Sequence, residues 1–408
     1  MKKPKLKVIG LGGGGSNAVN RMIELGIKGV EFIAANTDIQ VLMTSAAPKK
    51  VQLGPKLTSG MGAGGNPEVG EAAAEESKAE IKKALEGADM VFLTAGMGGG
   101  TGTGSIPVAA RIARELGAVT VAMVTMPFSF EMRRRTKNAN WGLEKLFPHC
   151  DTVITVPNDK LLRANSANLP MDVAFRLADD LLRQGIQGIT ELITHPGVIN
   201  VSYMHILNQF KSGGGSVLAM GQGIGEGKSL KAVKQALAHP LLDDIDMHNV
   251  TSIIANFTGG DTMTFFEMAD ALTYLHESTP MATDVIPGII NAEDMGDRVD
   301  VILVLTGVNA KNPSAETKRP EMVKTLPVNK PVHQEKITVE ASCAPQPSPF
   351  KASPSVVSKG AGKTIREVRG EEEKIKVTPL MKSKYTHPSS TDLDIPAFLR
   401  RRVASASS

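Results

Sequence analysis

The chain has 408 residues, 22% of them charged and 41% hydrophobic, with a formal net charge of +4. That length allows two or three domains with a sizeable core, and so small and dispersed a charge does not mark a nucleic-acid partner. Aromatic residues make up 4%, too few for base-stacking platforms, and no run approaches the roughly 20 apolar residues of a membrane span.

From residue 7 to about 158, short apolar strands alternate with helices. Strands are predicted at 7–10, 31–35, 90–95, 119–125 and 152–156. Helices are predicted at 16–25, 67–85 and 107–116. This alternation predicts a parallel, doubly wound α/β sheet. Residues 171–193 read as one long helix, with Val173, Leu177, Leu181 and Ile189 near a 3.6-residue period and Pro196-Gly197 as its stop. A second, smaller α+β region follows, with strands at 216–220, 252–257, 284–290 and 300–305 and helices at 230–238 and 265–276.

After Gly307, Lys, Pro, Ser, Thr and Glu dominate and apolar periodicity is lost. Such a segment cannot bury enough surface to offset its chain entropy, so a disordered linker is expected. The expected organisation is a nucleotide-binding domain at 1–168, a central helix and loop start at 169–197, an α+β domain at 198–308, a linker at 309–390 and a docking peptide at 391–408. Cys150 and Cys343 stand far apart, outside any CxxC spacing, which suits a reducing compartment. The basic start is followed by an apolar stretch that Gly10 breaks at once, unlike a signal peptide. A soluble cytoplasmic protein is expected, without direct membrane insertion.

Two glycine runs carry the chemistry. Gly10-Leu11-Gly12-Gly13-Gly14-Gly15 follows a strand, opens a helix and fits GxGxxG. Alone it is compatible with NAD, FAD or a nucleotide phosphate. Bare glycines let backbone N–H groups at a helix start approach the charge. The second run, Gly96-Met97-Gly98-Gly99-Gly100-Thr101-Gly102-Thr103-Gly104, also joins a strand to a helix. Two such loops on neighbouring strands can grip one polyphosphate from two sides, whereas a dinucleotide dehydrogenase needs one. Thr101 and Thr103 can donate to phosphate or cap the helix. A P-loop is absent: Gly227-Lys228-Ser229 has Gln222 where the motif needs glycine, and Gly362-Lys363-Thr364 has Val357.

GGGTGTG resembles the signature of the tubulin/FtsZ family, on its bacterial cell-division side. Asn36-Thr37-Asp38, Met61-Gly62-Ala63-Gly64, Pro127-Phe128 and Pro157-Asn158-Asp159-Lys160-Leu161-Leu162 extend the resemblance over about 7–307. It implies a tubulin-like fold, GTP or GDP with Mg2+ as ligands, head-to-tail self-assembly into filaments of the division ring at midcell, and GTP hydrolysis between subunits. It also implies site roles. Gly13, Gly14, Gly15, Ser16 and Asn17 form the first phosphate loop, and Gly100, Thr101 and Gly102 the centre of the second. Glu131 bonds the ribose, with Arg135 near ribose and phosphate. Asn158 assists at the base, Phe175 stacks on it, and Asp179 reads guanine. A carboxylate can accept from guanine N1–H and N2–H, a donor pair adenine lacks. On spacing alone, Glu131 and Arg135 are an ordinary i,i+4 helix pair and Asp179 a solvated helix residue. No protein metal cluster is expected.

The chain departs from that family in one loop. After the long helix the family reads roughly NxDFxD, a segment that enters the next subunit's site and helps activate water. Here the stretch is Asn200-Val201-Ser202-Tyr203-Met204-His205, and no carboxylate lies between Glu191 and Glu226. Asn200 is kept, while Ser202 and His205 replace the aspartates. Serine is too weakly basic to substitute unaided. A neutral histidine can accept a proton, or it is simply a tolerated interface residue. Slow hydrolysis, or a GTP-binding filament with little turnover, is therefore expected.

The end, 392–402, matches the family's C-terminal peptide. Ile395, Phe398 and Leu399 fall on one face of a short helix, with Pro396 in its first turn and Arg400–Arg402 at its end. Such a helix suits a partner's groove. The resemblance implies membrane-tethering and regulatory division proteins as those partners.

Overall fold

The computed structural model describes residues 3–164, 170–194, 201–211, 215–281, 283–292 and 295–308. The predicted linker and docking peptide, 309–390 and 391–408, lie outside the described residues, as does Asn200.

The first half runs β1 (Leu6–Leu11), α1 (Gly12–Glu24), β2 (Val30–Asn36), α2 (Ile39–Thr44), β3 (Lys49–Gln52), α3 (Pro55–Thr58), α4 (Pro67–Glu76), α5 (Lys78–Leu85), β4 (Met90–Gly96), α6 (Thr101–Glu115), β5 (Val119–Met126), α7 (Arg133–Leu146), β6 (Thr152–Pro157) and α8 (Asn158–Ala164). Then come the long α9 (Met171–Thr194), α10 (Tyr203–Lys211), β7 (Gly215–Ile224), α11 (Lys228–Leu237), β8 (Ser252–Gly259), α12 (Phe265–Glu277), β9 (Asp284–Asn291) and β10 (Arg298–Val308).

The strands bury both faces, and the alternation is legible residue by residue. Val8, Phe32, Ala34, Met90 and Phe92 face an apolar layer with α1, α9, α10, α11 and α12. Ile9, Ile33, Ala35, Val91 and Leu93 face the layer of α4, α5, α6 and α7. A sheet covered on both sides needs such continuous apolar strands.

The strand order is β3-β2-β1-β4-β5-β6-β7-β10-β8-β9. The first six are parallel in the doubly wound order. The two halves predicted from the sequence share this one sheet, through Val153 with Gly215 and Ile154 with Ser216. The Thr152 and Ser216 hydroxyls, 2.5 Å apart, reinforce the seam. Beyond it, β10 lies antiparallel between β7 and β8.

Helices α2, α3, α7, α8 and α10 lie outside the predicted ones, and three predicted helices have other bounds. α1 starts at Gly12 rather than 16, inside the glycine run. α6 starts at Thr101 rather than 107 and carries Pro107 in its interior, at the loss of one backbone bond. In α1 the glycines are the helix's first turn rather than a loop before it, whereas in α6 only Gly102 and Gly104 lie inside the helix and residues 98–100 lead into it. The predicted 67–85 helix divides at Ser77. The Ser77 hydroxyl accepts from Gly54 N–H at 3.0 Å and donates to Gln52 C=O at 3.1 Å, which tethers the break to the end of β3.

Candidate functional site

β1 and β4 are neighbours, yet they send their chains to opposite faces of the sheet, β1 into α1 and β4 into α6. The crevice beyond such strand ends is where open α/β sheets bind ligands. Both glycine runs lie there and touch backbone to backbone. Gly12 has φ 70°, and a Cβ on it would stand 2.6 Å from the Gly102 amide nitrogen. Only glycine permits that approach. By contrast, Gly13 and Gly99 have open space where a Cβ would be.

Gly13, Gly14 and Asn17 are exposed, while Gly15, Ser16, Gly100 and Gly102 are buried. The buried Ser16 Oγ has no hydrogen-bond partner among the described residues. Neither threonine caps α6. Thr101 Oγ1 lies 2.6 Å from Thr37 Oγ1, and Thr103 Oγ1 accepts from Gly98 N–H at 2.8 Å. A third segment closes on these loops, because a Cβ on Gly100 would stand 2.8 Å from Asn66 N and 2.9 Å from the Ala63 side chain.

Glu131 and Arg135 form an ion pair, but not on one regular helix. Glu131 ends a 3-10 turn, Arg135 belongs to α7, and Met132 between them has φ 77°. The Glu131 carboxylate also accepts from Phe128 N–H at 2.9 Å. Phe175 on α9 packs edge-on against Phe128, centroids 5.3 Å apart, and Phe128 stacks on Phe130 at 5.1 Å. Phe175 keeps 38% of its surface exposed, leaving area for a planar ligand. Asn158, first in α8, is buried with its Oδ1 unpartnered.

Asp179 is not the solvated helix residue that spacing alone predicts. Burial against α1 pushes its pKa up to about 7, with Asp180 adding to the rise and Arg21 on α1 opposing it. A half-buried carboxyl poised this way is a functional-site candidate.

Ser202 and His205 stand elsewhere. Both are exposed at the start of α10, where Ser202 C=O accepts from His205 N–H at 2.9 Å. Their neighbour Tyr203 has its phenol pushed up to about 12 by burial and by Asp89, the residue before β4. The glycine loop leaves the other end of β4, roughly 20 Å away at the rise of a strand. Within one chain these residues do not meet the glycine loops.

Sequence reasoning missed Arg21 and Asn138. Asn138 Nδ2 donates to Gly65 C=O and Gly98 C=O, both at 3.2 Å. Nothing in the polar α7 sequence singles it out. Among the described residues no three His, Cys, Asp or Glu side chains converge as a metal cluster, and no helix is long and apolar enough to cross a membrane.

The family described as Tubulin/FtsZ family, GTPase domain matches residues 5–166, and the FtsZ family C-terminal domain matches 214–309. Cell division protein FtsZ 1 of Thermococcus kodakarensis is 46% identical over 312 residues, 76% of this chain and 83% of that protein. The solved empty FtsZ dimer of M. jannaschii superposes with a TM-score of 0.72 at 42% identity, over 75% of this chain and 89% of that one. CetZ2 from Haloferax volcanii, solved as a GTPγS-bound protofilament, shares the fold at 22% identity and a TM-score of 0.64, over 75% of this chain and 94% of that one. The fold is tubulin-like, and the chain belongs to the FtsZ family of GTPases.

Proposed function

We propose that the chain seats GTP or GDP across its paired glycine loops, assembles head to tail into division-ring filaments, and hydrolyses GTP slowly. The observation that carries this reading is the seat itself. Two helix N-termini meet at one switch point, with access left open at Gly13 and Gly99. Their N–H groups and dipoles suit a polyphosphate. Ser16, with its unpaired buried hydroxyl, fits a phosphate oxygen. Glu131 and Arg135 take the ribose side. Phe175 stacks on the base, Asn158 offers its free carbonyl oxygen, and Asp179 accepts from guanine N1–H and N2–H.

Mg2+ suits this site as an ion carried on phosphate oxygens and water rather than in a protein cage. When bound, it neutralises phosphate charge. Nucleotide and loop residues lie at opposite ends of the sheet, which supports a heterologous, open-ended contact between copies. Ser202 and His205 of one copy then face the nucleotide of the next. Without a carboxylate there, the attacking water lacks its usual base. A filament protein with little turnover is the second reading, favoured by the same substitution. Residues 392–402 would recruit membrane-tethering and regulatory proteins to the polymer, in the cytoplasm at midcell.

Sedimentation with GTP, GDP and a non-hydrolysable analogue, with phosphate release followed in parallel, tests this. Pelleting with GTP and the analogue but not GDP, at low phosphate yield, is the expected result. No pelleting under any nucleotide, or failure to bind GTP, refutes it.

A further inference from the structure

The two peptides that flank Gly98 are each held, the 97–98 peptide through its N–H and the 98–99 peptide through its C=O. Gly98 N–H donates to Thr103 Oγ1 at 2.8 Å, and Gly98 C=O accepts from Asn138 Nδ2 at 3.2 Å. Gly98 itself has φ 100°, and a Cβ there would stand 2.9 Å from Arg135 O. The 98–99 peptide thus sits hard against the first turn of α7. The same Asn138 amide holds Gly65 C=O, so one side chain ties the 61–66 segment to the second glycine loop.

A trans peptide is planar, with its C=O and N–H pointing opposite ways. Drawing Gly98 C=O towards α7 therefore turns Gly99 N–H away from it. That N–H has no acceptor among the described residues, and Gly99 borders open space. With the peptide reversed, a carbonyl oxygen would face the crevice and repel an anion. Threonine alone cannot prevent reversal, since it holds only the other side of Gly98.

We propose that Asn138 is a positioning residue for nucleotide binding, fixing the 98–99 peptide so that Gly99 N–H is presented to a phosphate oxygen. This rests on the reading that the glycine loops seat a guanine nucleotide. Asn138 touches no nucleotide atom; it acts through the peptide.

The experiment measures GDP affinity of the full chain by titration. Asn138→Ala removes the donor, and Asn138→Asp keeps the shape but sets carboxylate oxygens against two carbonyls. Each is expected to raise Kd roughly tenfold to a hundredfold, the usual worth of a hydrogen bond to a charged group. Asn138→Gln, which keeps a donor, recovers part of the loss. The Gly99 amide resonance shifts on GDP addition in the unsubstituted chain and stays still in Asn138→Ala. A purely structural role would not abolish that shift in a folded variant. Should Asn138→Ala fail to fold, Thr103→Val releases the adjoining 97–98 peptide, on the other side of Gly98, and is expected to weaken GDP likewise. Affinity within threefold of the unsubstituted chain in the folded variants, or a Gly99 shift that persists, overturns the proposal. An unsubstituted chain that does not bind GDP refutes the nucleotide reading instead.

Discussion

The hydroxyls of Thr37, at the end of β2, and Thr101, in the first turn of α6, are hydrogen-bonded 2.6 Å apart. This bond joins a strand on one side of the switch point to the helix that opens on the other. Thr37 is fully buried, so Thr37→Val keeps the packing and removes one partner. The expected cost is about 1 kcal/mol of stability, read from the urea midpoint. GTP affinity is expected to change less than roughly threefold, because the proposed phosphate contact is to backbone amides rather than to this hydroxyl. A larger loss would make the Thr37–Thr101 bond part of the binding machinery.

Asp179 gives a pH dependence with a definite sign. Its pKa in the nucleotide-free chain is about 7, against 3.8 for an ordinary aspartate. Guanine donors need the carboxylate. GDP affinity is therefore expected to be flat above about pH 8 and to fall towards tenfold per unit below 7. Asp179→Asn flattens the profile. Stability runs the other way. A folded pKa above the unfolded one means that the native state holds the extra proton between about 4 and 7. This group's contribution is present below pH 4 and lost as pH rises through 7. Nucleotide-free melting should fall over that window, and saturating GDP should offset the fall.

Much of this was legible in the sequence, and the exceptions have physical causes. Nine strands are legible because each is an apolar run bounded by turns, and α9 because its period is sustained over 24 residues, whereas the short edge strand β3, Lys-Lys-Val-Gln, carries no apolar run. The two glycine runs mark the proposed phosphate seat. The early start of α1 is hidden because glycine scores as loop, whereas here residues 12–15 form the first turn of the helix, with Gly12 close against Gly102. The division at Ser77 depends on hydroxyl bonds to Gln52 and Gly54, which no local pattern reports. Asn138 and Arg21 are polar residues on amphipathic helices, and only the packing of α7 and α1 shows what they face.

Met132 carries a strain that a substitution can release. Its φ of 77° and ψ of 149° fall in a region essentially reserved for glycine. With 77% of its surface exposed, it gains little packing in return. Met132→Gly removes a strain of about 1–3 kcal/mol and adds back roughly 0.5–1 kcal/mol of chain entropy. The net expectation is a gain of about 1 kcal/mol in denaturant unfolding. Met132→Ala meets the same strain and should gain nothing. Equal behaviour of the two variants would mean that the backbone relaxes at no cost.

Ser202 and His205 set the last test. Both are exposed, Ser202 just before α10 and His205 on its first turn, while Ile206, Leu207 and Phe210 anchor that helix in the core. Substitution at the two exposed positions should leave the fold intact. Ser202→Asp/His205→Asp places carboxylates where the next copy's nucleotide would lie, and a positioned general base is worth roughly a hundredfold or more. Phosphate release per polymerised subunit should rise accordingly, with the same critical concentration in the non-hydrolysable analogue. His205→Ala separates the remaining alternatives. Loss of the residual turnover would make His205 the base, and unchanged slow turnover would make it a bystander. Fast turnover in the unsubstituted chain that survives His205→Ala would exclude both slow hydrolysis and a histidine base, and would require the water to be activated from the nucleotide's own side of the interface.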